Sequence, residues 1–398
     1  MWPMAVPALQ GIRVVELGQA IAAPHCTQIL GDQGAAVIRV EPPGGDRTRA
    51  ALPVTGGDSV YFAAHNRGKR SIIVDLKAPA GKEVFLRLAD ASDVVVTNYS
   101  AGVPDRLGIG YETLRERNER IVFVHITGFG TEGGGRDYGA YDGIIQAMSG
   151  IPWVSGEPGG PPVFTGAFVA DQLAAMQGAL GAVLALFRRQ ATGTGGFVEV
   201  SMLEGYMTAL HHHVGSALDL GEQPAAARNR VPTAFANTFP AADGSVYLAP
   251  LAPRAWAGFC TVIDAPAWLA GSDAHWRITQ GRDQAEEFVA AWTGTRTRSE
   301  IITAMRAAGV PCGPVNDVAE AVTDPVHQGR DPLATVRMAS GRQLHVPGPE
   351  VRLGGPPPGE LPIPAAGQHT TQVLAELGYS EQDTARLLAG GIIETERA

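Results

Sequence analysis

The run Ile12-Arg-Val-Val-Glu-Leu17 is short and rich in β-branched residues, and Gly18-Gln-Ala-Ile-Ala-Ala-Pro24 leads from it into a helical stretch over 24–33. A strand handing over to a helix is the repeating unit of an α/β sheet. Outward from it the pattern recurs: strands are predicted at 36–40, 71–76, 93–98 and 121–127, with helices at 81–91 and 111–117. The expectation is therefore an α/β fold around a parallel sheet. After Leu17 there is no GxGxxG, so nicotinamide-dinucleotide binding loses its main support.

Bulk properties narrow the class. At 398 residues the chain has room for two domains, and 45% hydrophobic against 18% charged residues is a globular composition. Cys26, Cys260 and Cys312 lie far apart with no CxxC pair, which fits a reducing compartment and argues against a thiolate metal site. No basic residue precedes Arg13, so a secretion signal is not expected. The best apolar run, 173–187, contains Gln177 and is shorter than a bilayer span. A cytoplasmic protein without a membrane partner is predicted. Residues 1–120 carry 14 Lys/Arg against 13 Asp/Glu, whereas the rest carries 17 against 27. No clustered basic face suggests nucleic acid; a slightly basic first part in a chain of net charge −9 suits one phosphorylated ligand.

Further along, 156–162 reads as a loop, a helix follows from Asp171, and a strand is predicted at 197–202. The next helix carries His211-His212-His213, which cannot share one face, so they predict no metal site. A smaller α+β segment occupies 226–334, leaving 1–225 and 335–398 as the large domain. The Pro/Gly-rich connector at 347–364 precedes two terminal helices, the last opening on a capping box at Ser380 and Asp383. Asp171 is a lone carboxylate, with no other charge from Gln172 to Phe187. Its residues alone favour a helix N-cap; the other reading is a chemical tool.

Seven stretches carry a resemblance. They are Gly31-Asp-Gln-Gly-Ala-Ala-Val-Ile-Arg-Val-Glu-Pro-Pro-Gly-Gly-Asp46, Asn66-Arg-Gly-Lys-Arg-Ser-Ile-Ile-Val-Asp-Leu-Lys77, and Asn98-Tyr-Ser-Ala-Gly102 with Arg106-Leu-Gly-Ile-Gly-Tyr111. Thr127-Gly-Phe-Gly130, Tyr141-Asp-Gly-Ile-Ile-Gln-Ala-Met-Ser-Gly150, Gly367-Gln-His-Thr370 and Leu374-Ala-Glu-Leu-Gly-Tyr-Ser380 complete the set. Together they resemble the family III CoA-transferases (the CaiB/BaiF family), which includes formyl-CoA transferases and α-methylacyl-CoA racemases. The resemblance runs from residue 9 to about 393.

It implies a Rossmann-like large domain with a parallel sheet built from both chain ends, a smaller α+β domain and an interlocked homodimer. It makes Asp171 the nucleophile that forms an anhydride with the acyl group and then an aspartyl-CoA thioester. It sets Ile21, Ala22, Val74, Lys77, Asn98, Tyr99 and Arg106 against CoA. Arg39, Lys77 and Arg106 suit the phosphates, and Tyr99 suits the adenine or pantetheine. CoA and acyl-CoA enter as substrates with a carboxylic acid acceptor; no tightly bound cofactor and no metal are implied.

Two departures refine the expectation. The racemases carry His where this chain has Tyr141, and Glu where it has Ala252. A tyrosine at its ordinary pKa of about 10 is a poor acid–base partner, so racemization is disfavoured. The oxalate-using members carry Gln at Ile21 and Lys at Gly139, and a Gly-rich loop that is missing here, so oxalate specificity is not expected. Tyr141 could place a hydroxyl near the reacting carbonyl or pack in the core. The leading expectation is an acyl-CoA:carboxylate CoA-transferase, with a racemase or a non-catalytic CoA-binding protein as alternatives.

Overall fold

In the computed structural model, which describes residues 7–353 and 359–396, the predicted runs pair into one sheet. The opening residues read for a secretion signal reach into 1–6, and the connector includes 354–358; both lie outside the described residues. The strands are β1 (Arg13–Leu17), β2 (Ala36–Glu41), β3 (Arg70–Val74), β4 (Val94–Thr97), β5 (Val122–Thr127), β6 (Gly196–Ser201) and β7 (Ile393–Glu394), in the order β7-β3-β2-β1-β4-β5-β6. β1 to β6 run parallel, with Val14 opposite Val37 on one side and Val94 on the other. β4 and β5 are buried along their whole length, which is why they read as continuous apolar runs rather than alternating ones. The contribution of the chain's far end differs from expectation. It is one two-residue strand, β7, lying antiparallel on β3, because the chain doubles back after the helix Glu381–Ala389.

Side chains alternate between the two faces. On one, Val15, Leu17, Val95 and Phe123 pack with Val84, Phe85 and Leu88 of α2 (Pro79–Asp90) and with Val373 and Leu374 near the end. Each fully buried Leu or Phe here contributes about 1.5–3 kcal/mol. On the other face lie α1 (Ala22–Asp32) and α4 (Val169–Thr192), preceded in the chain by α3 (Asp142–Ser149). Small residues let α4 approach closely: a methyl group on Gly178 would lie 3.0 Å from Ile126 and 3.1 Å from Cys26.

At 24 residues, α4 is longer than the apolar run seen in the sequence, because its last turns continue through Arg188 and Arg189. With a mean hydropathy of 1.4 over its most apolar window, it is long and apolar enough to cross a membrane by length and composition. Ala174, Ala175, Gly178, Ala182 and Ala185 are buried on its inner face, while Met176, Leu180, Leu184 and Phe187 are exposed on the other.

The chain divides into two compact units. The first takes 1–150, 165–211 and 327–398; the second takes 151–164 and 212–326. Besides the large sheet, the first unit has a small one of Leu333–Arg337, Gln343–Pro347 and Leu361–Pro362, packed on Phe62 and Ile363. The second unit has an antiparallel sheet of Asn237–Ala241, Gly244–Leu248 and Cys312–Pro314, with a core that includes Phe239, Trp256, Phe259 and Ile301.

Candidate functional site

Since β1 to β6 are parallel, their carboxyl ends share one edge of the sheet. From β1 the chain moves to β2 and then β3 on one side, then returns to place β4 on the other side of β1. The loops leaving β1 and β4 therefore diverge, which opens the crevice where ligands bind in such sheets. Gln19 and Ala20 after β1, Asn98 and Tyr99 after β4, and residues 127–129 and 138–141 at and after the end of β5 line a cavity of about 700 Å³. The first loop is held in an unusual shape. Ala20 has φ +59°, a conformation that costs energy for a residue with a Cβ. Asn98 fixes the neighbouring peptide by accepting the Gln19 N–H (3.0 Å) and donating to the Gln19 carbonyl (2.8 Å).

Asp171 lies on the same cavity wall. It is not the helix cap: Phe168 occupies that position, and Asp171 sits in the first turn. The capping carboxylate is Asp142, at the start of α3. It accepts the Ala170 N–H (2.8 Å) and the Asp171 N–H (3.3 Å). Gln146 holds Asp142 in place by donating to its other oxygen (2.5 Å), and also accepts the Thr165 N–H (2.9 Å). With the Ala170 and Asp171 N–H groups already facing Asp142, the helix terminus does not offset the burial of Asp171. Burial, and then the Asp142 charge, push the Asp171 carboxyl up to about 7.

Tyr61 is the phenol in the electrostatic reach of Asp171; burial, and then Asp171, push it up to about 12. Its ring meets Phe168 edge-on at 6.0 Å. Tyr141 is 77% exposed and lines the cavity, so it does not pack in the core.

The residues expected against CoA are only partly brought together. Asn98 and Tyr99 line the Asp171 cavity. Ile21 and Ala22 are buried at the start of α1, and the cavity is walled instead by their predecessors Gln19 and Ala20. Val74 is buried at the end of β3 and Lys77 is exposed beyond it; neither lines that cavity, nor does the exposed Arg106. Arg39 does not line that cavity either. It is 1% exposed, with its guanidinium paired to Glu16 and Asp46 and Glu41 at 4.0 Å, so its charge is already matched inside the fold.

Sequence reasoning missed Asp142, Tyr61, Arg47 and Arg136. The last two are the cations on the cavity wall. A signal for Arg136 was present: it follows Gly133-Gly-Gly135 in the loop after β5, a natural place for a mobile ligand contact. His125 Nε2 donates to the Tyr99 carbonyl (2.8 Å), and burial pushes its pKa down. Glu204 is exposed in the first turn of the helix Met202–Met207 and does not line the cavity. The histidine run straddles a break, with His211 at φ +49° and a new helix starting at His212.

The sequence model of CoA-transferase family III matches residues 9–370. A succinyl-CoA:mesaconate CoA-transferase of Haloarcula marismortui is 35% identical over 385 residues, covering 93% of this chain and 96% of the relative. A succinate–glutarate CoA-transferase of Agrobacterium fabrum is 33% identical over 396 residues, covering 96% and 98%. Among solved structures, a CaiB/BaiF family protein from Brucella suis superimposes with a TM-score of 0.81 at 29% identity, covering 94% of this chain and all of that one.

Proposed function

The chain belongs to CoA-transferase family III, and on that premise we propose that it moves CoA from an acyl-CoA to a free carboxylic acid with Asp171 as nucleophile. The observation that carries this reading is a carboxyl raised to about 7, without a cation partner among the described residues, on the wall of a cavity at the carboxyl edge of the sheet. An ionised carboxylate attacks the thioester carbon; the C–S bond breaks and CoA leaves as thiolate, giving an acyl–aspartyl anhydride. The thiolate then attacks the aspartyl carbon, the anhydride C–O bond breaks, and the first acid departs as its carboxylate. The acceptor carboxylate attacks the aspartyl-CoA thioester, and the released thiolate takes the new acyl group and frees Asp171. No proton is gained or lost overall. A carboxylate of higher pKa is the stronger nucleophile, and near-neutral pH leaves a large fraction of it ionised.

Both relatives' names contain succinate or its CoA ester, so succinyl-CoA is the first donor to try. We infer a cytoplasmic homodimer, interlocked as the resemblance implies; the exposed Leu180, Leu184 and Phe187 stripe of α4 supports an apolar partner face. Intact-protein mass spectrometry after mixing with succinyl-CoA, and separately acetyl-CoA, tests the mechanism. A CoA-sized adduct on the native chain that is missing from Asp171→Ala is the expected result. Binding of CoA with no adduct and no turnover across an acid panel would leave a CoA-binding protein.

A further inference from the structure

We propose that Arg47 selects dicarboxylic acids, pairing with one carboxylate while the other reacts at Asp171; the inference rests on the CoA-transfer reading and names its class of acid. Beyond β2 the chain turns into a short 3-10 helix, Arg47–Ala50. That turn is fastened to the buried polar groups of the sheet. Asp46 caps it by accepting the Thr48 N–H (2.7 Å) and hydroxyl (2.8 Å), and its other oxygen pairs with Arg39. Glu41 accepts the Asp46 N–H (2.9 Å) and two N–H donors of the Arg49 guanidinium (2.8 and 2.6 Å). Arg49 also lies over the Phe62 ring, 4.1 Å from its centre. Of three arginines gathered here, Arg39 and Arg49 are matched by carboxylates. The Arg47 guanidinium makes no ion pair or hydrogen bond with a described residue. It is exposed on the wall of the cavity that holds Asp171.

A cation without a counter-charge on a rigid turn gives the fold nothing, yet it offers the cavity a fixed positive point. When the new thioester forms, the reacting carboxylate of the acceptor approaches the aspartyl carbon, so a second carboxylate must lie elsewhere in the same space. The other carboxylate on that wall, Asp46, is already taken by Arg39, and neither it nor Asp171 can neutralise an anion. An unpaired carboxylate drawn out of water carries a desolvation cost, and a guanidinium offsets it through two parallel N–H···O bonds. Ile126, Phe129 and Met202 on the same wall offer apolar contact to methylene groups. Arg136, the second cation lining the cavity, follows three glycines and also lines a neighbouring cleft of about 300 Å³. Arg47 does not line that cleft, and its turn is held by Asp46 and Glu41, so it is the cation placed to read the far end of an acid.

The test is a competition. The native chain, Arg47→Ala, Arg47→Lys and Arg136→Ala each receive succinyl-CoA with equal amounts of glutarate and valerate, acids of equal carbon number that differ by a terminal carboxylate. The initial ratio of glutaryl-CoA to valeryl-CoA, read by mass spectrometry, is the ratio of the two kcat/KM values and does not depend on the donor step. The native ratio should lie well above one. Arg47→Ala is expected to lower it at least about tenfold, and Arg47→Lys by less, because an ammonium keeps the charge but not the fork. A native ratio near one, an unchanged ratio in Arg47→Ala, or an equal fall in Arg136→Ala overturns the proposal. A folding defect would slow both acids alike, and the exposed Arg47 should leave the melting temperature near native when replaced. Formation of neither product also overturns the proposal. The CoA adduct on Asp171 needs no acceptor, so it reports separately on whether the functional reading stands.

Discussion

Glu16 and Asp171 are both carboxylates drawn out of water in the same unit, and their surroundings drive them in opposite directions. Glu16 sits on β1 with no exposure at all. Burial pushes its carboxyl up, but Arg39 and Lys69 outweigh that and hold it below the ordinary range. Lys69 donates to it at 2.7 Å and is itself lowered by burial to about 8. Asp171 is less buried, yet burial raises it to about 7: its charged neighbour Asp142 adds to the rise, and no cation among the described residues answers it. Burial pushes both carboxyls up; the sign of the charged neighbour decides whether that push is overturned or reinforced. A matched charge holds the fold together, and an unmatched one stores reactivity.

Removing Asp171 should break the comparison most visibly. Asp171→Ala is expected to lower turnover by on the order of 10⁴-fold or more, measured as acid-dependent CoA transfer. Its melting temperature at neutral pH should not fall and should rise if anything, since the side chain caps nothing and its buried ionisation costs stability there. Glu16→Gln should do the reverse. It leaves Arg39 and Lys69 partly uncompensated in the interior, for a loss of about 3–5 kcal/mol in denaturant titration.

Asp142→Asn tests the neighbour itself. An amide oxygen still accepts the Ala170 N–H, but the negative charge is gone, so Asp171 should titrate lower. The rate rises with pH as Asp171 ionises, so the acid limb of the kcat/KM profile is expected to move down by about one pH unit.

The same pair predicts opposite pH–stability slopes. Between an unfolded value of about 3.9 and the folded value of about 7, Asp171 keeps a proton that the unfolded chain has lost, so its contribution falls as pH rises through that window. Glu16, held low, loses its contribution as pH falls below the ordinary carboxylate range. The smallest expected effect belongs to a third carboxylate, Glu376, which meets Arg70 through two bonds of 2.9 Å at the exposed surface. Arg70→Gln should cost less than about 1 kcal/mol, and that cost should shrink in salt.

What could be read from the sequence was mostly local. The β-branched runs located β1, β2, β4 and β5 to within two residues at either end, because strand formation there depends on residues adjacent in the chain. Asp171 stood out as the one charge at the head of an apolar helix. The partner that sets its chemistry did not, since Asp142 lies 29 residues earlier and meets it only once α3 and α4 come together. Arg39 shows the same limit from the other side. As a residue type it suits a phosphate, and only the fold reveals that Glu16 and Asp46 already surround it. The crevice itself comes from strand order, which no single stretch of sequence contains.

The placement of β7 has a consequence for synthesis. β3 is made from residues 70–74, but its outer edge is covered by residues 393–394. While the ribosome builds the intervening chain, that edge presents unpaired backbone groups to whatever is nearby, including the same edge on a neighbouring nascent chain. The large sheet therefore stays unfinished until residues 393–394 have been made. A chaperone that shields β3 until then would raise the yield of active protein, and a nascent chain stalled before residue 393 should show the outer edge of this strand open to hydrogen exchange.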